Sequence, residues 1–261
     1  MKPSYYLAHS IHLLYNIDMS VKQHYDNHLG NFYSWMIGDL KAKQAEQLNF
    51  FRQHNILPAT VHTAIDLGAG NGLHAIPLAK LGFNVTAIDF NPQLLAELTC
   101  NAAGHNITII NDDIRNIKKY TGNTPGLIIC MGDTLTHLES MAEIQTLIME
   151  CCESLADNGK LILSFRDYSV PLHGNDRFIP VKNDDDRIFT CFLEYFPHHV
   201  TVTDILYERA AAEWEQKISS YNKVRLQPVI VETILQQNGM HIIFNEPVAR
   251  LHTIVAVRGS Q

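Results

Sequence analysis

The chain has 261 residues, a formal net charge of −7, 46% apolar residues and 18% charged ones, a composition that can bury its own core without disulfide or metal staples. No run approaches the uninterrupted apolar length of a membrane span, and the Lys and Arg residues form no cluster that would track phosphates, so membrane and nucleic-acid partners are both disfavoured. Five Cys without a CxxC, two of them adjacent at Cys151 and Cys152, suit neither a disulfide framework nor a zinc ribbon and read as reduced, mostly buried thiols in a cytoplasm.

The start, "MKPSYYLAHSIHLLYNIDMS", carries one Lys and only short apolar runs, which makes a poor signal peptide. Residues 19–57 have helical spacing of apolar and polar positions, closed by Pro58. They are expected to form a helical cap within residues 1–58, ahead of one α/β domain over 59–261. Short apolar runs at 62–67, 84–89, 106–111, 126–131 and 159–165 read as buried strands, with helical patterns at 72–81, 92–103 and 140–156 between them. That alternation predicts βαβ units and a parallel sheet with right-handed crossovers. From 174 to 226 the pattern changes to β-branched and aromatic alternation, predicting an antiparallel excursion of two or three strands. Pro228 then opens a helix, and "HIIFNEP" with "RLHTIVAVR" suits a closing antiparallel pair. The 14 His residues show no HExxH or similar spacing, and no metal is expected.

The stretch "AIDLGAGNGLHAIPLAKLGFNVTAID" (Ala64 to Asp89) carries the most chemical information. A glycine-rich turn after a first strand lets a ligand approach the backbone closely, at the end of the sheet where α/β ligands bind. The NAD fingerprint is G-x-G-x-x-G; here the third glycine comes one residue early and Leu73 takes its place. Asp89 ends the second strand, where its carboxylate can accept from both ribose hydroxyls. Asp66 just before the turn suits a cationic or amino-bearing ligand and would repel a diphosphate. Asp113 in "NDDIRNI" can accept from an adenine amino group; helix capping by Asp113, or Asp112 in its place, are the alternatives.

These residues together resemble the class I S-adenosylmethionine-dependent methyltransferase core. "AIDLGAGNG", "VTAID" and "IINDDIRNI" match its first three motifs and "LADNGKLILSF" its fifth-strand segment, so the resemblance covers residues 62–165, about two fifths of the chain. It implies a Rossmann-like α/β fold: a mostly parallel seven-stranded sheet with helices on both faces, holding S-adenosylmethionine. Gly68 and Gly70 would line the methionine part, Asp89 the ribose and Phe90 the adenine face. Asp113 and the Ile114 amide would read the adenine edge, with Asp66 and Met131 completing the cofactor site.

Beyond the core, "MGDTLTHL" is similar to the "LGNSFAHL" element of glycine N-methyltransferase-like enzymes, "FRDYS" to their Arg-Asn-Tyr-Asp element, and "FYSWMIGDLKAK" to their aromatic N-terminal segment. The resemblance implies that Tyr33 and Lys43 contact the cofactor, that Arg166 holds an acceptor carboxylate, and that Tyr25, Asp133 and His137 lie at the acceptor. Tyr25, His137 and Asp133 are the candidate bases. Asp stands at 133 where that family has Asn, and Met36 where an aromatic is usual. Plainer readings remain for several: a solvated Lys43, a core Tyr33, and an Arg166 paired with Asp133 or Asp167. The expected function is methyl transfer to a small amine- or carboxylate-bearing metabolite in the cytoplasm, with a homo-oligomer left open. A non-catalytic cofactor binder and an NAD(P)-dependent oxidoreductase are the alternatives.

Overall fold

The computed structural model describes residues 19–210 and 213–259. The first eighteen residues, read above as a poor signal peptide, and the connection at 211–212 lie outside them. The cap is built from α1 (Val21–Asn27), α2 (Tyr33–Ile37) and α3 (Leu40–Gln53). Ser20 and Gln23 form a reciprocal capping box at the start of α1, and Asp39 caps α3. The segment read as one helical stretch is broken into three because the chain turns at a short 3₁₀ helix, Leu29–Asn31, and again at Gly38.

Strands β1 (Thr63–Leu67), β2 (Asn84–Asp89), β3 (Ile107–Asn111), β4 (Leu127–Cys130) and β5 (Lys160–Phe165) pair in parallel. Between them lie α4 (Ala75–Lys80), α5 (Pro92–Asn101) and α6 (Met141–Ser154). After α7 (Pro228–Gln237), strands β10 (Met240–Val248) and β11 (Leu251–Arg258) add the expected antiparallel pair. The order is β10-β11-β5-β4-β1-β2-β3. The strand order therefore switches direction at β1 and β4, the place where ligands bind in such sheets.

The central strands β1, β4 and β5 are buried on both faces, which is why each reads as a continuous apolar run, whereas β3 lies at the sheet edge and is only partly covered. Ile65, Ile128 and Leu161 turn into one core with α6 and α7, while their neighbours Ala64, Leu127 and Ile162 turn into a second core with α3, α4 and α5. Among the described residues no helix is long and apolar enough to cross a membrane.

The excursion has four antiparallel strands rather than two or three: β6 (Phe178–Asn183), β7 (Arg187–Tyr195), β8 (His199–Ala210) and β9 (Glu213–Val224). The strand missing from the sequence reading is β6, which contains Pro180. Proline cannot donate to a ladder, so its presence argues against a strand; β6 tolerates it because β6 is an edge strand. Two 3₁₀ helices, Ile114–Tyr120 and Thr134–His137, also escape the periodicity reading.

The cap is fastened to both sheets. Asn91 donates to Asp26 at 3.0 Å, Gln93 to the Gly30 carbonyl at 2.9 Å and Asn71 to Ser34 at 2.9 Å. On the excursion side, the His24 ring lies fully buried between Ser219 Oγ at 2.8 Å and Asp204 Oδ2 at 3.1 Å, stacked on Tyr221.

Candidate methyl-transfer site

A cavity of about 1400 Å³ runs along the carboxyl ends of β1, β2 and β4 beneath the cap. Its floor is the turn between β1 and α4, where the three glycines have different tasks. Gly68 adopts φ +78°, and a Cβ there would sit 2.5 Å from Thr134; Gly72 adopts φ +92° and faces Leu98 and Ile76 in the core. Both need the left-handed region and the missing side chain. A Cβ on Gly70 would meet nothing nearer than 4.0 Å, so this residue is open to the cavity.

Asp89 borders the same turn. Its Oδ2 accepts from the Gly70 amide at 2.9 Å and its Oδ1 from the Asn91 amide at 2.8 Å. A carboxylate offers about four acceptor sites, so each oxygen can still take a further hydroxyl donor. Burial raises its pKa, opposed by the amides of Asn91, Gly70 and Phe90. Phe90 lies beside it on the wall, with its ring edge-on to Tyr25 at 5.7 Å.

Asp66 is fully buried behind this wall rather than on it. Neither of its oxygens completes a hydrogen bond among the described residues, although the Ala75 amide points toward it. Burial, and then the Asp89 charge, push its pKa up to about 8. Asp66 is the penultimate residue of β1, one residue before the glycine turn, and does not itself border the cavity.

Asp113 and Ile114 both border the cavity, whereas Asp112 does not. Asp112 is occupied elsewhere, accepting from Tyr120 at 2.6 Å, Asn116 at 2.8 Å and Lys119 at 3.1 Å. The Asp113 carboxylate caps the 3₁₀ helix through the Arg115 amide at 2.9 Å and also holds the Arg115 guanidinium, with Nη2 at 2.6 Å. Although burial opposes ionisation, the Arg115 bonds keep its pKa below the ordinary carboxylate value. The structure therefore shows the capping role.

Tyr25 and Tyr33 reach the cavity from the cap and Met131 from the end of β4. Tyr25 packs against Tyr33, Phe90 and His137, with ring centroids 6.2, 5.7 and 5.6 Å away, and burial raises its phenol well above 10. Lys43 is not brought to the cavity: it lies on the exposed face of α3, paired with Glu46 at 3.2 Å. The side chain is solvent-exposed there, one turn from its partner.

His137 borders the cavity with its Nε2 buried and unpartnered among the described residues. Burial, then the nearby Lys223 charge, hold its pKa well below 6.5, so the imidazole is neutral. His74, also on the wall, is lowered by burial to about 4.

Asp133 and Arg166 differ from expectation. Asp133, in the left-handed region at φ +78°, is buried and does not border the large cavity. Its carboxylate is taken up by Lys223 Nζ at 2.6 Å, the Arg166 amide at 2.8 Å and Thr136 Oγ1 at 2.9 Å. Burial alone would raise its pKa, but the Lys223 charge leads the groups that hold it below the usual range. The Arg166 guanidinium lies 3.7 Å from Asp133 and turns into a separate, smaller cavity. Sequence reasoning missed Lys223. The available signal was the alternation of β9, in which Ser219, Tyr221 and Lys223 share the buried face.

Comparison with known proteins agrees with this geometry. Residues 64–159 match the family described as "Methyltransferase domain", and the fold of the chain is that of solved S-adenosylmethionine-dependent methyltransferases. The glycine/sarcosine/dimethylglycine N-methyltransferase of Actinopolyspora halophila is 32% identical over 133 residues, 50% of this chain and 23% of that protein. The chain spans less than half the length of each glycine/sarcosine N-methyltransferase it matches. Among solved structures, the CcbJ methyltransferase of Streptomyces caelestis superposes with a TM-score of 0.74, covering 92% of this chain and 99% of that one at 16% identity. CalS10, an amino pentose methyltransferase of Micromonospora echinaspora solved with S-adenosylmethionine, gives 0.68 over 88% and 96% at 16% identity.

Proposed function

We propose that the chain transfers a methyl group from S-adenosylmethionine to a small-molecule acceptor, with an amine-bearing metabolite favoured. The observation that carries this reading is Asp89. It presents a buried carboxylate with unused acceptor capacity to an open floor at Gly70, beside an aromatic ring at Phe90. These residues fit a nucleoside whose ribose hydroxyls bond Asp89 and whose base lies against Phe90, with the Asp113 and Ile114 edge beyond. The buried Asp89 carboxylate at the turn favours a cation and opposes a dinucleotide's pyrophosphate, and Asp66 adds to this when a bound cation draws off its proton. Relatives named as N-methyltransferases and a neighbour acting on an amino sugar support an amine acceptor.

When bound, the cofactor supplies an electrophilic methyl on a sulfonium. The chain's own residues position and shield. Tyr25 and Tyr33 close the cavity from above and exclude water, and Gly68 to Gly70 bring backbone close. Neutral His137 borders the cavity, but its buried Nε2 and lowered pKa make it too weak a base for an ammonium, and Asp133 is excluded by its ion pair with Lys223, so the acceptor is expected to arrive as the free amine. The smaller cavity holding Arg166 supports the expected carboxylate contact. Mostly buried free thiols support a cytoplasmic site of action.

Calorimetric titration with S-adenosylhomocysteine and with NADH tests the cofactor. Binding of the first and not the second is expected; tight binding of NADH alone would overturn the reading. Labelled S-adenosylmethionine with pooled metabolites then tests turnover, since a non-catalytic binder would show no acceptor-dependent transfer.

A further inference from the structure

Beside the large cavity lies a second of about 410 Å³, between the loop after β5, the tip of the β10–β11 hairpin and the inner face of the excursion. Lys223 borders both cavities. The excursion contributes apolar side chains, among them Ile179, Val181 and Leu193, and the other cations on the wall are Arg166 and Arg250. Acids stand near these three cations as well, among them Asp204, which accepts from the wall residue Cys191 at 3.1 Å and is bonded to His24. Asp133 is consumed by Lys223, and Asp167, on the wall itself, accepts from the Ser169 amide at 2.8 Å and from the Ser169 hydroxyl.

Lys223 cannot simply be a neutralised strut. An ammonium has three donors, and Asp133 Oδ2 takes one. The ammonium also lies 5.7 Å from the Tyr221 ring centroid, so it stands at an aromatic wall between the two spaces. A cavity of several hundred Å³ with apolar walls and a few charged groups matches a ligand with a body, well beyond a bare small amino acid. The guanidiniums of Arg166 and Arg250 make no side-chain hydrogen bond among the described residues, and Arg166 comes no closer than 3.7 Å to Asp133, so this wall calls for an anion.

We propose that the second cavity receives the body of the methyl acceptor, an apolar or aromatic carboxylic acid, with its carboxylate at Arg166 and Arg250 and its reacting end passing Lys223 into the large cavity. This rests on the methyltransferase reading, which placed the cofactor in the large cavity. Lys223 is then a specificity-determining residue: it divides the two spaces and offers its spare donors to the segment that crosses.

The test uses the full chain saturated with S-adenosylhomocysteine, titrated calorimetrically with 4-(4-aminophenyl)butyrate, with its primary amide, and with glycine. The carboxylate should bind at least tenfold more tightly than the amide, and glycine should be weaker than both. Val181→Trp, at an exposed edge-strand position on the cavity wall, should weaken the carboxylate at least tenfold and leave S-adenosylhomocysteine affinity unchanged. Arg250→Gln, at the exposed hairpin tip, should narrow the gap between acid and amide. Equal binding of acid and amide, wild-type affinity in folded Val181→Trp, or no binding of either aryl probe overturns the proposal. Failure of S-adenosylhomocysteine to bind the wild type strikes the cofactor reading instead. The probes are therefore also titrated without it, so the cavity is judged by its own result.

Discussion

Replacing Asp66 with Asn should remove a pH dependence of stability that the wild type carries. The Asp66 carboxyl is fully buried and held at a pKa of about 8, first by desolvation and then by the Asp89 charge. In the unfolded chain the same group titrates near 3.9. Between those values the folded protein keeps a proton that the unfolded chain has released, so stability falls as pH rises through this window and levels off above it. Each pH unit inside the window is worth about 1.4 kcal/mol for one proton. From pH 6 to pH 8 the wild type should therefore lose about 2–3 kcal/mol that Asp66→Asn does not lose. Asn mimics the protonated acid in size and neutrality, so at pH 6 the two proteins should be similar.

Urea unfolding of both proteins at pH 6, 7, 8 and 9 measures the difference directly. Parallel stability curves would refute the placement of Asp66 as a buried, unpartnered carboxyl. The same group should couple to ligand charge. A cation bound over the turn favours ionised Asp66, so S-adenosylmethionine should bind more tightly as pH rises from 6.5 to 8.5, whereas uncharged-sulfur S-adenosylhomocysteine should show little of that trend. Asp66→Asn should flatten the first response.

Asp89→Ala removes the proposed acceptor of two ribose hydroxyls, each charge-assisted bond being worth about 1.5–3 kcal/mol; S-adenosylhomocysteine binding should fall beyond calorimetric detection in a protein that still melts cooperatively. Gly70→Val and Gly72→Ala should both cost stability, because both positions have positive φ (+50° and +92°), but only the first should also remove binding. The first fills open cavity and should abolish binding, while the second drives a methyl into Leu98 and Ile76 and should cost about 1–3 kcal/mol of stability with affinity nearly unchanged. Asp133→Ala strands buried Lys223 without its counter-charge and should cost about 3–5 kcal/mol in a denaturant melt. Arg166→Lys keeps the charge and loses the fork; a raised acceptor KM with unchanged melting temperature supports carboxylate binding, while lowered stability with unchanged kinetics leaves Arg166 as scaffold.

The core of the fold was legible because its central strands are buried on both faces and its turns carry glycine, proline and Asx residues at the points where the backbone needs them. Ala64 to Leu67 and Val85 to Asp89 could hardly be anything but interior strands followed by a ligand-facing turn. The excursion was less legible: Pro180 disguised an edge strand, and sheets with one open face give weaker patterns. At the site, residues fixed by backbone position were easier to read than those fixed by long side chains. Gly70, Asp89 and Ile114 reach the cavity as expected. Lys43, Asp133 and Arg166 do not enter it: Lys43 lies on the exposed face of its helix beside Glu46, whereas Asp133 and Arg166 are drawn into an ionic cluster with Lys223 whose members are far apart in sequence. Asp133 and Lys223 are ninety residues apart, and no local pattern joins them.

That distance explains how three separate parts of the chain make one site. The β1–α4 turn supplies the floor, the cap supplies Tyr25 and Tyr33, and β9 supplies Lys223. Apolar contacts bring cap and excursion together, with Leu29 and Phe32 packing on Phe189 and Leu206. Such contacts are non-directional and would tolerate sliding of α1 along the sheet. The His24 bridge does not. Its two ring nitrogens meet Ser219 and Asp204, Asp204 also accepts from Cys191 at 3.1 Å, and the ring stacks on Tyr221. Shifting α1 would leave these buried polar atoms unpaired, at about 1–3 kcal/mol for each. Tyr25 follows His24 directly on α1, and Tyr221 and Lys223 follow Ser219 on β9. The bridge therefore sets the distance between Tyr25 in the aromatic roof and Lys223 in the wall of the large cavity.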